Sequence, residues 1–190
     1  MKKIVGLSLA LVMVIGLVGV GTFAYFTDSE ISSGNQLVAG TLDLTTNDSD
    51  GVSQTLYATN MSPGATVGPS TIRLRNAGTT DGTTLDINFS YVESDGSPNT
   101  VNKSADEVAA MIEVIALDYG SSSLLGNISD TNGNGYRDVY ELKNTDLTGL
   151  SGIAASATKN FNVSVRLRSE TGNNFQTDGL TMTMTFTLKQ

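Results

Sequence analysis

Residues 180–188 read LTMTMTFTL, so that Leu180, Met182, Met184, Phe186 and Leu188 alternate with Thr181, Thr183, Thr185 and Thr187. Successive side chains of an extended strand project to opposite faces, and this spacing therefore gives one apolar face and one threonine face. The stretch predicts a half-buried β-strand. Phe161, Val163, Val165 and Leu167 repeat the period, as do Leu85, Ile87, Phe89 and Tyr91, with shorter pieces at Ile72 and Leu74 and at Leu42 and Leu44. Glycine, asparagine, aspartate and serine separate the runs, notably over 76–82, 95–99 and 171–174, where the chain is expected to turn.

One helix signal interrupts the pattern. Ser104 and Glu107 stand in capping-box spacing ahead of Val108, Ala109, Ala110 and Met111, with Asp106 in the first turn. Ile112, Val114, Ala116 and Tyr119 then return to a strand-like character. Many short strands, irregular loops and one short helix predict an all-β fold with minor α content: a jelly-roll β-sandwich carrying inserted loops.

The other end of the chain is different in kind. Lys2 and Lys3 precede an apolar run from Ile4 to Val20, and small residues follow as far as Ala24. Basic, hydrophobic and small-residue regions in that order predict a secretory signal peptide over 1–25. Thr22 and Ala24 suit a cut before Tyr25, and a cut before Phe26 fits the same pattern. The competing reading is a retained membrane anchor, since about 20 apolar residues span a bilayer. Cleavage leaves 26–190 as a single mature domain with no membrane attachment, roughly 165 residues and enough for one core.

Composition then removes whole classes of function. The chain carries 11 basic and 19 acidic residues, and loss of Lys2 and Lys3 with the leader leaves nine basic residues and a net charge of −10. Such a balance disfavours nucleic acid and anionic membranes as partners and favours cations. With no cysteine in an exported chain, disulfides cannot stabilise it. With no histidine either, neither a Ser-His-Asp triad, a His-x-x-x-His zinc helix nor an imidazole base can be built.

The sharpest chemical motif is DTNGNGYRDVYE, residues 130–141, which matches the D-x-[DN]-x-[DN]-G-x5-E calcium loop at every specified position. Asp130, Asn132 and Asn134 are spaced so that their oxygens converge as the chain curls. Gly135 permits the sharp turn, Tyr136 offers its backbone carbonyl, Asp138 coordinates directly or through water, and Glu141 supplies two oxygens from the start of an exiting helix. Hard oxygen donors suit Ca2+ better than zinc, and extracellular loops of this kind bind around 10⁻⁴ to 10⁻³ M, as a structural ion would. The alternative is an Asn/Gly-rich surface turn. Two departures point that way: Arg137 stands where paired loops usually place an aliphatic residue, and 124–129 is a weak entering helix. Six Asn-x-Ser sequons, at Asn47, Asn60, Asn88, Asn102, Asn127 and Asn162, single out no position.

The junction FAYFTDSE (23–30), the AGTLDL that follows (39–44) and the ending TGNNFQTDGLTMTMTFTLKQ (171–190) resemble the TasA/camelysin family of secreted proteins. MSPG at 61–64, the Ser104 helix leading into a strand, and DLTGL at 146–150 fall in the order seen in that family, whereas the Asp130 loop stands outside its general pattern. The resemblance implies a jelly-roll secreted to the cell surface or biofilm matrix. It also implies export through a dedicated signal peptidase, and head-to-tail polymerisation of the chain with itself, with an accessory anchor or minor subunit as a further partner. The donated strand would be 26–39, anchored by Phe26, Ile31, Leu37 and Val38. An incoming strand can satisfy both the open hydrogen bonds and the apolar groove of a sandwich one strand short. The ordinary alternative is a first strand folded back on its own domain. Two other functions stand beside the fibre: a monomeric cell-surface binding module, and the surface metalloprotease activity attached to the name camelysin. The absence of histidine and cysteine speaks against the protease, because catalytic zinc normally has imidazole or thiolate ligands.

Overall fold

A computed structural model describes residues 27–29, 41–47, 49–50, 61–96 and 102–190. The leader, Ala24, Tyr25, Phe26, Ile31, Leu37 and Val38 lie outside the described residues. Among the described residues ten strands form two antiparallel sheets. The first is ordered β1 (Thr27–Ser29), β10 (Leu180–Lys189), β5 (Thr84–Glu93), β8 (Leu147–Ser151). The second is ordered β3 (Ser49–Asp50), β2 (Leu44–Thr46), β4 (Thr66–Asn76), β9 (Thr158–Leu167), β6 (Ile112–Tyr119), β7 (Ser122–Ser123).

The pairings are nested. β6 meets β7, β5 meets β8, β4 meets β9 and β1 meets β10, as if one long hairpin had been rolled around a barrel. Rolling puts alternate pairs into opposite sheets, and the result is the expected jelly-roll sandwich. The alternation read from the sequence decides which face is buried. Met182, Met184, Phe186 and Leu188 of β10 are buried while the intervening threonines are half-buried, and Leu85, Ile87, Phe89 and Tyr91 of β5 point inward with them. From the opposite sheet, Phe161 enters between Phe186, at 5.3 Å in an edge-on contact, and Phe89, at 6.3 Å. This aromatic set ties the sheets together.

Two local irregularities reconcile pattern with structure. In β6, a bulge between Val114 and Ala116 shifts the phase, so Leu117 and Tyr119 face the core while Ala116 is only half-buried. An extra residue in one strand has that consequence. At the 76–82 turn, fully buried Asn76 donates to the carbonyls of Thr80 (2.8 Å) and Ile153 (3.0 Å) and accepts from the Gly78 amide (3.0 Å). Gly78 allows the chain to pass Thr41, whose carbonyl oxygen would lie 1.9 Å from a Cβ placed there.

The helix expected after Ser104 is α1 (Ala105–Ala109), with both halves of its capping box formed. Hydrogen bonds from Lys103, then from Ser104, hold the Glu107 carboxyl down to about 2. The expectation of one short helix is incomplete: a second, α2 (Val139–Leu142), follows the acidic loop, and single 3₁₀ turns occupy Leu125–Asn127 and Asn173–Phe175.

Candidate functional site

The loop 130–141 joins the 3₁₀ turn to α2, and both ends are pinned by buried apolar residues: Ile128 before it, Val139 and Leu142 after it. Between these anchors the chain curls around Asp130. One oxygen of that carboxylate accepts from the amides of Gly133 (2.7 Å) and Asn134 (3.1 Å), the other from Gly135 (2.8 Å). These bonds, the Gly135 one foremost, keep the Asp130 carboxyl below the ordinary aspartate range. Asn132 Oδ1 accepts from the Asn134 amide at 3.0 Å, and Asn134 Oδ1 from the Tyr136 amide at 2.9 Å. Gly133 and Gly135 have φ of +73° and +85° with no atom near a built Cβ, so backbone conformation alone asks for glycine here.

Asp138 and Glu141 are 0 % and 2 % exposed. Together they form a capping box at the start of α2, so the two acids that the motif assigns to a cation also cap a helix. Asp138 Oδ1 accepts from the Glu141 amide (3.1 Å), and Glu141 Oε2 from the Asp138 amide (3.4 Å). Their other oxygens face the loop: Asp138 Oδ2 accepts from the side-chain amides of Asn132 (3.1 Å) and Asn134 (2.7 Å), Glu141 Oε1 from the amides of Thr131 (2.6 Å) and Asn132 (3.2 Å). Every donor is neutral, and among the described residues no lysine or arginine pairs with either acid.

Two buried carboxylates without a cationic partner are costly, and buried charge is ordinarily paired or bound to metal. Three carboxylates and two amide oxygens in one curled loop fit a hard divalent cation by donor chemistry. In the described conformation these oxygens are turned onto amides, and among the described residues no group of three acidic, histidine or cysteine side chains is arranged to hold an ion.

Two supports were not legible in the motif. The Arg137 carbonyl accepts from the Val114 amide at 2.7 Å, and Asp138 bridges to Glu113, so strand β6 backs the loop where a second calcium loop would pair in a doublet. Arg168, past the end of β9, lies 3.9 Å over the Tyr136 ring and also grips Glu170 and the Ala110 carbonyl. Nothing in the spacing between 136 and 168 signals that contact. Elsewhere Tyr91 donates to Asp106 at 2.6 Å, and Tyr119 to the Ser151 carbonyl at 2.8 Å.

Of the strand expected to be donated, Thr27–Ser29 lies on its own subunit, at the outer edge of β10, with Thr27 opposite Lys189, Asp28 opposite Leu188 and Ser29 opposite Thr187. Fold and loop together define a class: an acidic jelly-roll protein whose first described strand lies at the edge of one sheet and whose loop of calcium-motif spacing is backed by the other. A family model described as camelysin metallo-endopeptidase matches residues 1–190, and the chain belongs to that family, the TasA/camelysin family of secreted or cell-surface proteins. A search of curated proteins gave no match. Among the described residues no helix is long and apolar enough to cross a membrane.

Proposed function

We propose that this protein is a structural subunit, cleaved after its leader by signal peptidase, that polymerises into extracellular matrix fibres by passing its N-terminal strand to the next copy. The observation that carries this reading is the position of β1. Among the described residues it is the first strand of the roll, it sits at a sheet edge, and its partner is the C-terminal strand β10. A strand so placed can leave one copy and enter another with the same register, and head-to-tail transfer of that kind grows open filaments. Calcium held by Asp130, Asn132, Asn134, Tyr136, Asp138 and Glu141 stabilises the subunit without taking part in exchange. Cleaved protein is expected to form fibres visible by electron microscopy, and deletion of 26–39 to leave monomers; fibres from the deleted chain would overturn the reading.

The family's description favours a second reading, a metallo-endopeptidase. With neither histidine nor cysteine in the sequence, its metal would have to be held by carboxylates and amides, a donor set for hard cations and not for catalytic zinc. Casein hydrolysis by purified protein, lost with chelator and with Glu141→Gln, would establish the enzyme.

A further inference from the structure

We propose that the two Asn-Gly steps of the loop, Asn132-Gly133 and Asn134-Gly135, are self-modification sites, at which the chain converts each asparagine to an aspartyl or isoaspartyl residue while the loop is free of calcium. They are the two Asn-Gly steps of the whole sequence, and both fall inside one twelve-residue loop. The reaction begins when the backbone nitrogen of the following residue attacks the side-chain Cγ. Glycine leaves that nitrogen unhindered.

Each step carries the same three contacts. The attacking N–H is held by a carboxylate oxygen of Asp130, at 2.7 Å for Gly133 and 2.8 Å for Gly135. The carbonyl under attack is polarised by a backbone amide, Asn134 N–H on Asn132 Oδ1 at 3.0 Å and Tyr136 N–H on Asn134 Oδ1 at 2.9 Å. The departing nitrogen of each side chain rests against Asp138 Oδ2, at 3.1 and 2.7 Å. A base at the nucleophile and a donor at the developing oxyanion are the groups that acyl transfer requires.

The atoms balance. The glycine nitrogen bonds to Cγ and gives its proton to Asp130, the Cγ–Nδ2 bond breaks, and Nδ2 leaves as ammonia after taking up that proton through the carboxylate or solvent. Water then opens the five-membered imide at either carbonyl, giving aspartate or isoaspartate. The net change is ammonia out and water in. Either product adds a carboxylate to the loop, and isoaspartate also lengthens the main chain by a methylene and displaces the ligands beyond it. Calcium, on the reading proposed above, engages Asp130 and both asparagine oxygens and so stops the reaction. The loop thereby records the time it has spent without the ion.

The test incubates the full chain in EDTA or in calcium chloride and maps it by peptide mass spectrometry beside the excised 130–141 peptide, with thermal unfolding recorded in parallel. In EDTA, Asn132 and Asn134 should convert before any other asparagine and no more slowly than in the peptide, and Asp130→Asn should slow both by roughly tenfold or more. A protein intact at both positions after the peptide has converted, or one unaffected by Asp130→Asn, overturns the proposal. Thermal unfolding keeps the two readings apart. Conversion in a chain that calcium fails to stabilise retains the modification and overturns the calcium site, whereas calcium stabilisation of a chain that never converts does the reverse.

Discussion

Strand β10 has two neighbours that could hardly be more unequal. Against β5 it forms ten consecutive pairs, from Leu180 opposite Glu93 to Lys189 opposite Thr84. Against β1 it forms three among the described residues. The β5 side is fixed further by the core, because Met182, Met184, Phe186 and Leu188 are buried beside Leu85, Ile87 and Phe89. On the β1 side a three-residue ladder supplies only a few hydrogen bonds, each worth about 1 kcal/mol net. One sheet thus contains a long seam and, among the described residues, a short one, and on the reading proposed above that contrast lets a subunit stay folded while its N-terminal strand changes hands.

The comparison can be attacked from the permanent side first. Phe186→Ala removes the ring packed edge-on against Phe161, and truncation of a buried aromatic should cost about 3–5 kcal/mol, read from denaturant unfolding. A loss below about 1 kcal/mol would mean that the β5–β10 seam does not carry the fold.

Glu141→Ala tests whether the loop is independent of either seam. It strips two amides of their acceptor and half of the α2 capping box, so about 1–3 kcal/mol should be lost, together with all thermal stabilisation by calcium. Fibre formation should survive at temperatures where the variant is folded; its loss there would tie the loop to exchange.

The smallest effect sits at the end of β10 itself. Burial raises the Asp86 carboxyl, but hydrogen bonds from Lys189 and from the Gly149 amide outweigh it and leave the net value below the ordinary one. A depressed folded value means that the contribution is present in full above the unfolded pKa, about 4, and is lost as pH falls through the folded value. An ion pair of this kind contributes about 1 kcal/mol or less. Asp86→Asn should therefore flatten the acid limb of the stability profile slightly, and an unchanged limb would show that Lys189 is held in some other way.

How far all this could be read in advance depended on length and on sequence separation. Strands β5, β9 and β10 are ten residues each and declare themselves by alternation, and the Ser104–Glu107 cap declares α1. β8 is hidden because LTGLS breaks the alternation at Gly149, and the phase of β6 is hidden by its bulge. Nesting of the strand pairs has no local signal, since it joins residues as far apart as Thr27 and Lys189. The same holds at the loop. Its six candidate ligands are legible as a motif, but the double duty of Asp138 and Glu141 as a buried capping box depends on α2, whose four residues carry no helical period of their own. Arg168 and the β6 backbone reach the loop only through the tertiary fold.

The exchange itself is open to direct chemical trapping, because the chain has no cysteine of its own. Ser29 stands opposite Thr187 in the β1–β10 register. Cleaved chains carrying Ser29→Cys alone and Thr187→Cys alone, mixed, allowed to assemble and then oxidised, should give a disulfide-linked dimer on a denaturing gel. If instead the mixture polymerises without that cross-link, or stays monomeric while the double variant closes its disulfide within one chain, the strand never leaves home and the central claim is wrong.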